Sequence, residues 1–153
     1  MKNKGQLSIE IIILLSIFLL FFQAMILPSI EFAENTIRDT HAIIQTKKGI
    51  DNLSDNVEQF SNSQGYGERN MFLYLPSNTT ITDCNNSSKT INYEIKISTQ
   101  KPTPVGCDEN GLCKFSKKIY ITNNLSCSKI GPGNSSHIII EKTDLGNMII
   151  STN

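Results

Sequence analysis

From Ile11 to Leu27 the chain reads IIILLSIFLLFFQAMIL, an apolar run interrupted only by Ser16 and Gln23. Such a run needs a solvent other than water. At a helical rise of 1.5 Å per residue, seventeen to twenty residues reach across a hydrocarbon core of roughly 30 Å. The run therefore predicts a membrane-spanning helix at the short end of the usual length. The remainder is rich in Asn, Ser, Thr and Lys, so the overall hydrophobic fraction of 39% conceals two regions of opposite character. With 153 residues there is room for that helix and one modest globular head.

Charge gives the orientation. The formal net charge is zero, with 14 basic and 14 acidic residues, and nothing in that balance points to nucleic acid as a partner. Lys2 and Lys4 precede the apolar run without any acidic residue among the first five. By the positive-inside tendency the N-terminus stays cytoplasmic and everything after Leu27 is exported. The cysteines agree with export, because Cys84, Cys107, Cys113 and Cys127 all lie in that later part and are even in number. Disulfides are the expected state. Zinc is the competing reading, but no Cys-x2-Cys pair occurs and His41 and His137 are far from any cysteine in sequence.

An ordinary secretory signal ends in a small-x-small cleavage site, whereas this apolar run leads into Met25, Ile26, Leu27 and Pro28. Ahead of it stands Lys4-Gly5-Gln6-Leu7-Ser8-Ile9-Glu10, with a carboxylate where the membrane helix begins. An ionisable group there is costly and normally finds a positive partner. The plainer reading is a carboxylate at the interface, reaching toward headgroups.

Gly5-Gln6-Leu7-Ser8-Ile9-Glu10 followed by apolar residues resembles the class III signal peptide of archaeal type IV pilin-like proteins, over about 25 residues. The resemblance implies that a prepilin peptidase cuts between Gly5 and Gln6 and leaves the apolar helix on the mature chain as its assembly element. It also implies partnership with other pilin-like subunits through that helix, residence in the membrane before assembly, and a place in a cell-surface filament afterwards. Cleavage would expose an α-amino group, whose ordinary pKa of about 7.7–8.0 leaves it substantially cationic near neutrality. Glu10 of one subunit can then pair with the amine of its neighbour, offsetting part of the desolvation cost of both charges. The alternative is a single-span surface protein whose head binds a ligand and whose helix merely anchors it.

Beyond the run, the helix is expected to continue past Pro28, with a kink there. Ile43, Ile50 and Val57 recur every seven residues, with Leu53 and Phe60 between them, which makes one apolar stripe. The expected layout is a leader over 1–5, a long helix over 6–60, a connection over 61–70 and a β-rich head over 71–153. This is an α+β chain with an antiparallel head. Ile91, Tyr93, Ile95 and Ile97 alternate with polar residues as a half-buried strand does. Shorter strands are expected over Met71–Leu75, Thr79–Asp83, Phe115–Thr122, His137–Lys142 and Asn147–Ser151, the last two as a hairpin.

Cys107-Asp-Glu-Asn-Gly-Leu-Cys113 reads as a hairpin in which Glu109-Asn110-Gly111 form a three-residue loop with Gly111 left-handed, placing Cys107 opposite Cys113. The leading pairing is Cys107–Cys113 with Cys84–Cys127, one of three that four cysteines permit. Six Asn-x-Ser/Thr sequons fall at Asn52, Asn78, Asn85, Asn86, Asn124 and Asn134, all on the exported side, although an Asn- and Ser-rich chain also produces such triplets by chance. No cofactor is indicated. Gly-x-Ser-x-Gly, His-Glu-x-x-His and a phosphate-binding glycine loop are all missing, and Asp108 with Glu109 reads as a solvated turn rather than a calcium site, so the expectation is a structural protein and not an enzyme.

Overall fold

The computed structural model describes residues 3–98, 106–131 and 136–152. The fold is α+β: one helix, α1 (Asn3–Asn62), precedes seven strands. These are β1 (Gly67–Leu73), β2 (Thr79–Asn85), β3 (Thr90–Lys96), β4 (Leu112–Lys118), β5 (Asn124–Cys127), β6 (Ser136–Lys142) and β7 (Asn147–Thr152). By compactness the chain divides into Met1–Ile37 and Arg38–Asn153. Among the described residues the first unit is helix throughout. The second holds the rest of α1 and every strand.

In the second unit a stripe of α1 is the core element. Ile50, Leu53 and Val57 are almost wholly buried, and Ile43 and Phe60 pack partly buried beside them. Each such side chain contributes roughly 1.5–3 kcal/mol relative to water. The stripe also contains hydroxyls that an apolar pattern does not reveal, since Thr46, Ser54 and Ser61 are buried as well. Thr46 Oγ1 and Thr79 Oγ1 lie 2.8 Å apart in a hydrogen bond, and Ser61 donates to Asn123 Oδ1. Buried polar groups are tolerated when they are partnered in this way.

Two sheets cover that stripe. β2-β3-β4 form an antiparallel sheet, and β1-β6-β7-β5 a second in which only β5 and β7 run parallel. β3 shows the expected alternation, with Ile91, Tyr93 and Ile95 inward, and Ile97 is buried just past its end. Burial raises the Tyr93 phenol above its ordinary pKa of 10.0, and nearby Asp51 adds to the shift. On β4, Lys117 Nζ donates to Asp51 Oδ1 of the helix at 2.6 Å, and that bond raises the lysine above 10.5.

A β-bulge in β2 decides where one cysteine points. Ile81 pairs with Tyr93, and the next partners are Asp83 and Asn92, so Thr82 is the extra residue. Without it Asp83 would stand opposite Ile91 on the core face. With it Cys84 takes that place, because one inserted residue exchanges the two faces of every later position. Cys84 bonds to Cys127 of β5, Cα to Cα 5.3 Å, and a backbone bridge between Ile81 and Ile130 adds a second link between the sheets. The other disulfide is Cys107–Cys113. Its loop is held by Asp108, whose backbone N–H donates to the Leu112 carbonyl while its carboxylate accepts from Asn110 N and Leu112 N. Gly111 has φ of 75°, and a Cβ there would meet the Ile97 carbonyl oxygen at 2.6 Å.

Several boundaries differ from those read in the sequence. α1 extends to Asn62 and β1 starts at Gly67, earlier than the expected Met71, because Gly67 pairs with Lys142 at the end of β6. The Lys142 ammonium then caps the helix by donating to the carbonyls of Ser61 (2.8 Å) and Ser63 (2.7 Å), where the macrodipole favours a cation. β4 ends at Lys118, short of the expected Thr122: Ile119 N donates to the Lys89 carbonyl and Tyr120 N to Glu58 Oε1, so the backbone turns from β3 to the helix. β5 was not anticipated. Its four residues, Asn-Leu-Ser-Cys, are too few to display a period, and its parallel pairing qualifies the all-antiparallel expectation.

Loop-closure entropy ranks the disulfides. The 43-residue separation of Cys84 and Cys127 gives about 4 kcal/mol, against about 2 kcal/mol for the short Cys107–Cys113 loop. Replacing both members of each pair by alanine in turn should therefore lower stability to denaturant about twice as much for Cys84–Cys127. Equal losses in chemical denaturation, or a larger loss from Cys107–Cys113, would contradict that ordering.

Candidate functional site: the apolar segment of the first helix

Residues 9–37 form the part of α1 that needs an explanation outside its own unit. Ile9, Ile11, Ile12, Leu14, Phe18, Leu20 and Phe21 each expose more than half of their surface. An 18-residue window in this segment has a mean hydropathy of 2.6 with none of it buried, and it is long and apolar enough to cross a membrane. Soluble monomers rarely display contiguous apolar surface of this extent. Its hydroxyls bond back to the helix. Ser16, Ser29 and Thr36 donate to the carbonyls of Ile12, Met25 and Phe32 at 2.8, 2.9 and 2.8 Å, so no hydroxyl is left to water. The Ser29 bond lies next to Pro28, which lies inside the helix and has no N–H to offer it.

Gly5 and Gln6 lie on the backbone of α1, one turn before Glu10. Glu10 is exposed and shares its stretch of helix surface with Ile11, Leu14, Leu15 and Phe18. From Ile9 to Ile30 the helix therefore presents one carboxylate, that of Glu10, on an otherwise largely apolar surface; Glu31 and Glu34 follow beyond it. None of the ion pairs and hydrogen bonds described among these residues involves that carboxylate. In hydrocarbon or in a helix bundle it requires a cationic partner from elsewhere.

The other residues singled out in the sequence lie in the second unit and do not converge on a site. Cys84, Cys107, Cys113 and Cys127 are all in disulfides, so no thiol is free among the described residues. His41 is exposed on the helix, and His137 stacks edge-on against Phe72 at 5.4 Å. Asp108 is occupied by its turn. Among the described residues no group of three or more His, Cys, Asp and Glu is placed to hold a metal ion. A broad groove of about 870 Å3 runs past Asp39, Tyr74, Asn78 and Lys96, but Asp39 already accepts from Ser98 N and Asn78 from Lys96 N.

The sequons are dispersed. Asn52 is exposed on the helix, Asn78 is half-buried before β2, Asn85 ends β2, Asn86 begins the β2–β3 turn and Asn124 opens β5; Asn134 lies outside the described residues. The sequence gives no hint of a polar network that joins three of these regions. Asn86 Oδ1 accepts from Lys89 Nζ (2.6 Å) and Leu125 N (2.9 Å), while its Nδ2 donates to Asn124, which donates in turn to Asn147. Lys89, left-handed at φ of 53°, also donates to the Asn123 carbonyl. Only an unusual run such as Asn85-Asn86 and Asn123-Asn124 on either side of the paired cysteines could have hinted at it.

Comparison with protein-family models, with curated proteins and with solved structures finds no match to this chain. Function must be argued from the chain's own physics.

The exposed segment makes a direct prediction about solubility. The full chain should remain with membranes through alkaline carbonate extraction and come off only with detergent. A chain beginning at Arg38, made under oxidising conditions, should be soluble without it. Detergent-free solubility of the full chain would remove the case for a spanning helix.

Proposed function

We propose that this chain is the precursor of a structural subunit of an archaeal type IV pilus-like surface filament. A prepilin peptidase removes residues 1–5 by cutting between Gly5 and Gln6. The apolar part of α1 first spans the membrane, with the N-terminus cytoplasmic and the head outside. It then packs among the same segments of neighbouring subunits. The chain acts by assembly, not by catalysis.

The observation that carries this reading is the exposed carboxylate of Glu10 on an otherwise apolar stretch of helix, the fifth residue after the Gly5-Gln6 bond. A plain anchor gains nothing from that charge. A subunit does, because the α-amino group of Gln6 freed on a neighbour is a cation of matching depth, and a paired charge in a low-dielectric bundle fixes axial register. The driving force is apolar packing, roughly 1.5–3 kcal/mol for each Leu- or Phe-sized side chain removed from water. A head-to-tail contact of this kind is heterologous and propagates without closing. The disulfide-bearing head suits a minor subunit as well as a major one.

Two variants separate cutting from assembly. Gly5→Leu should leave the chain uncut and in the membrane. Glu10→Ala should be cut and inserted as usual, yet removing one partner of a buried pair costs about 3–5 kcal/mol, so its incorporation into filaments should fall by about a hundredfold or more. Terminal-peptide mass spectrometry reads the first outcome and immunoblotting of sheared filaments the second. Wild-type incorporation of Glu10→Ala would sink the pairing argument.

A further inference from the structure

The polar network described above treats neighbouring sequons very differently. The sequons of Asn85 and Asn86 overlap in Asn85-Asn86-Ser87-Ser88, and both asparagines are exposed, Asn85 at the end of β2 and Asn86 in the turn that follows. The Asn85 Oδ1 atom accepts from the backbone N–H of Ser87 (2.9 Å) and of Ser88 (3.1 Å). Two donors on one atom fix which branch of the carboxamide is oxygen, and therefore place Nδ2 on the other branch. No hydrogen bond is made by that nitrogen among the described residues, and the Ser87 side chain beside it is exposed.

At the other described sequons the acceptor nitrogen is engaged or the hydroxyl is buried. Asn86 is held at both ends of its carboxamide, by Lys89 Nζ and Leu125 N on Oδ1 and by Asn124 Oδ1 on Nδ2, and Ser88 Oγ shares a hydrogen bond with Thr90 Oγ1 at 2.9 Å. The Asn124 Nδ2 atom donates to Asn147 at 3.1 Å, and that of Asn78 to the Lys96 carbonyl at 2.7 Å. The Asn52 sequon depends on Ser54, which is buried beneath the helix. Asn85 alone of these five combines a free amide nitrogen with an accessible hydroxyl two residues on.

We propose that Asn85 is the acceptor of an N-linked glycan on the head, and that Asn86 beside it is a structural residue that stays bare. The co-reactant is an oligosaccharide carried on a lipid phosphate. Its anomeric carbon forms a bond to Asn85 Nδ2, the bond from that carbon to the phosphate oxygen breaks, and the lipid phosphate leaves with the electron pair. Nδ2 gives up one proton to a base of the transferring enzyme. Two N–H donors on Oδ1 favour this step, because they stabilise the charge that builds on oxygen as the amide nitrogen is deprotonated. At Asn86 the same step requires pulling the carboxamide away from Leu125 and Lys89, which leaves the Leu125 N–H and the Lys89 ammonium without that acceptor. The proposal rests on export of the head and not on polymerisation.

Glycopeptide mass spectrometry of the protein from native cells tests this, with Ser87→Ala and Ser88→Ala as paired variants. Ser87→Ala removes only the Asn85 sequon, and its backbone N–H remains to hold the turn. Ser88→Ala removes only the Asn86 sequon. The expected result is a glycan on Asn85 in the wild type, loss of one glycan mass in Ser87→Ala and no change in Ser88→Ala. Protease added to intact cells reports export independently. A head that is cleaved from cells yet bare at Asn85 overturns the proposal, as does a glycan that persists on Asn86 in Ser87→Ala, or equal occupancy at Asn78 or Asn124. A head protected from protease would overturn export, and the proposal with it.

Discussion

The face of α1 that carries Thr46, Ile50, Leu53 and Val57 is the element on which the second unit is built. Both sheets turn their apolar sides toward the same core: β3, β6 and β7 contribute most of it, β4 adds Cys113 and part of Phe115, and β5 adds Leu125 and part of Cys127. Polar anchors set the register of the helix within that core. Thr46 meets Thr79, Asp51 meets Lys117, Glu58 receives Tyr120 N, and Lys142 closes the last turn. The exposed Lys117–Asp51 pair is worth at most about 1 kcal/mol, so its value is positional. The apolar contacts supply the stability and the polar ones choose the alignment.

The first unit obeys the opposite rule. Its helix has apolar residues on every side rather than along one stripe, which is the pattern of a segment whose surroundings are apolar on every side. A bilayer supplies such surroundings, and so does a bundle of identical helices. The carboxylate at Glu10 suits the second environment better than the first, since a bundle can bring a cation to the same depth and lipid tails cannot. On the proposed function one helix serves in both places in succession, as a membrane span before assembly and as a packed helix of a filament after it.

Much of this was legible because the determining signals are local. The apolar run, the period-two alternation of Ile91 to Ile97 and the Cys107 to Cys113 hairpin each follow from residues within a few positions of one another. The hairpin is the clearest case, since Gly111 supplies the left-handed residue and Asp108 the turn bonds. What stayed hidden depends on residues distant in sequence. Thr82 looks like any strand residue, yet as a bulge it turns Cys84 to the core. Lys142 reads as the polar end of a strand, yet it caps a helix 79 to 81 residues away. β5 has no period to detect; it pairs in parallel with β7, and Asn86 and Cys84 reach it from distant parts of the chain. The Asn-rich composition suggests modification sites, whereas Asn78, Asn86 and Asn124 have their amide nitrogens engaged in hydrogen bonds within the fold.

The central claim, that the apolar helix is an assembly element and not merely an anchor, is tested most directly by shearing surface filaments from native cells and sedimenting them away from membranes. The account predicts this chain in the sheared filament fraction, beginning at Gln6 and dissociating from its neighbours only in detergent or denaturant. Retention of the whole pool in the membrane fraction, with residues 1–5 still attached, would contradict it.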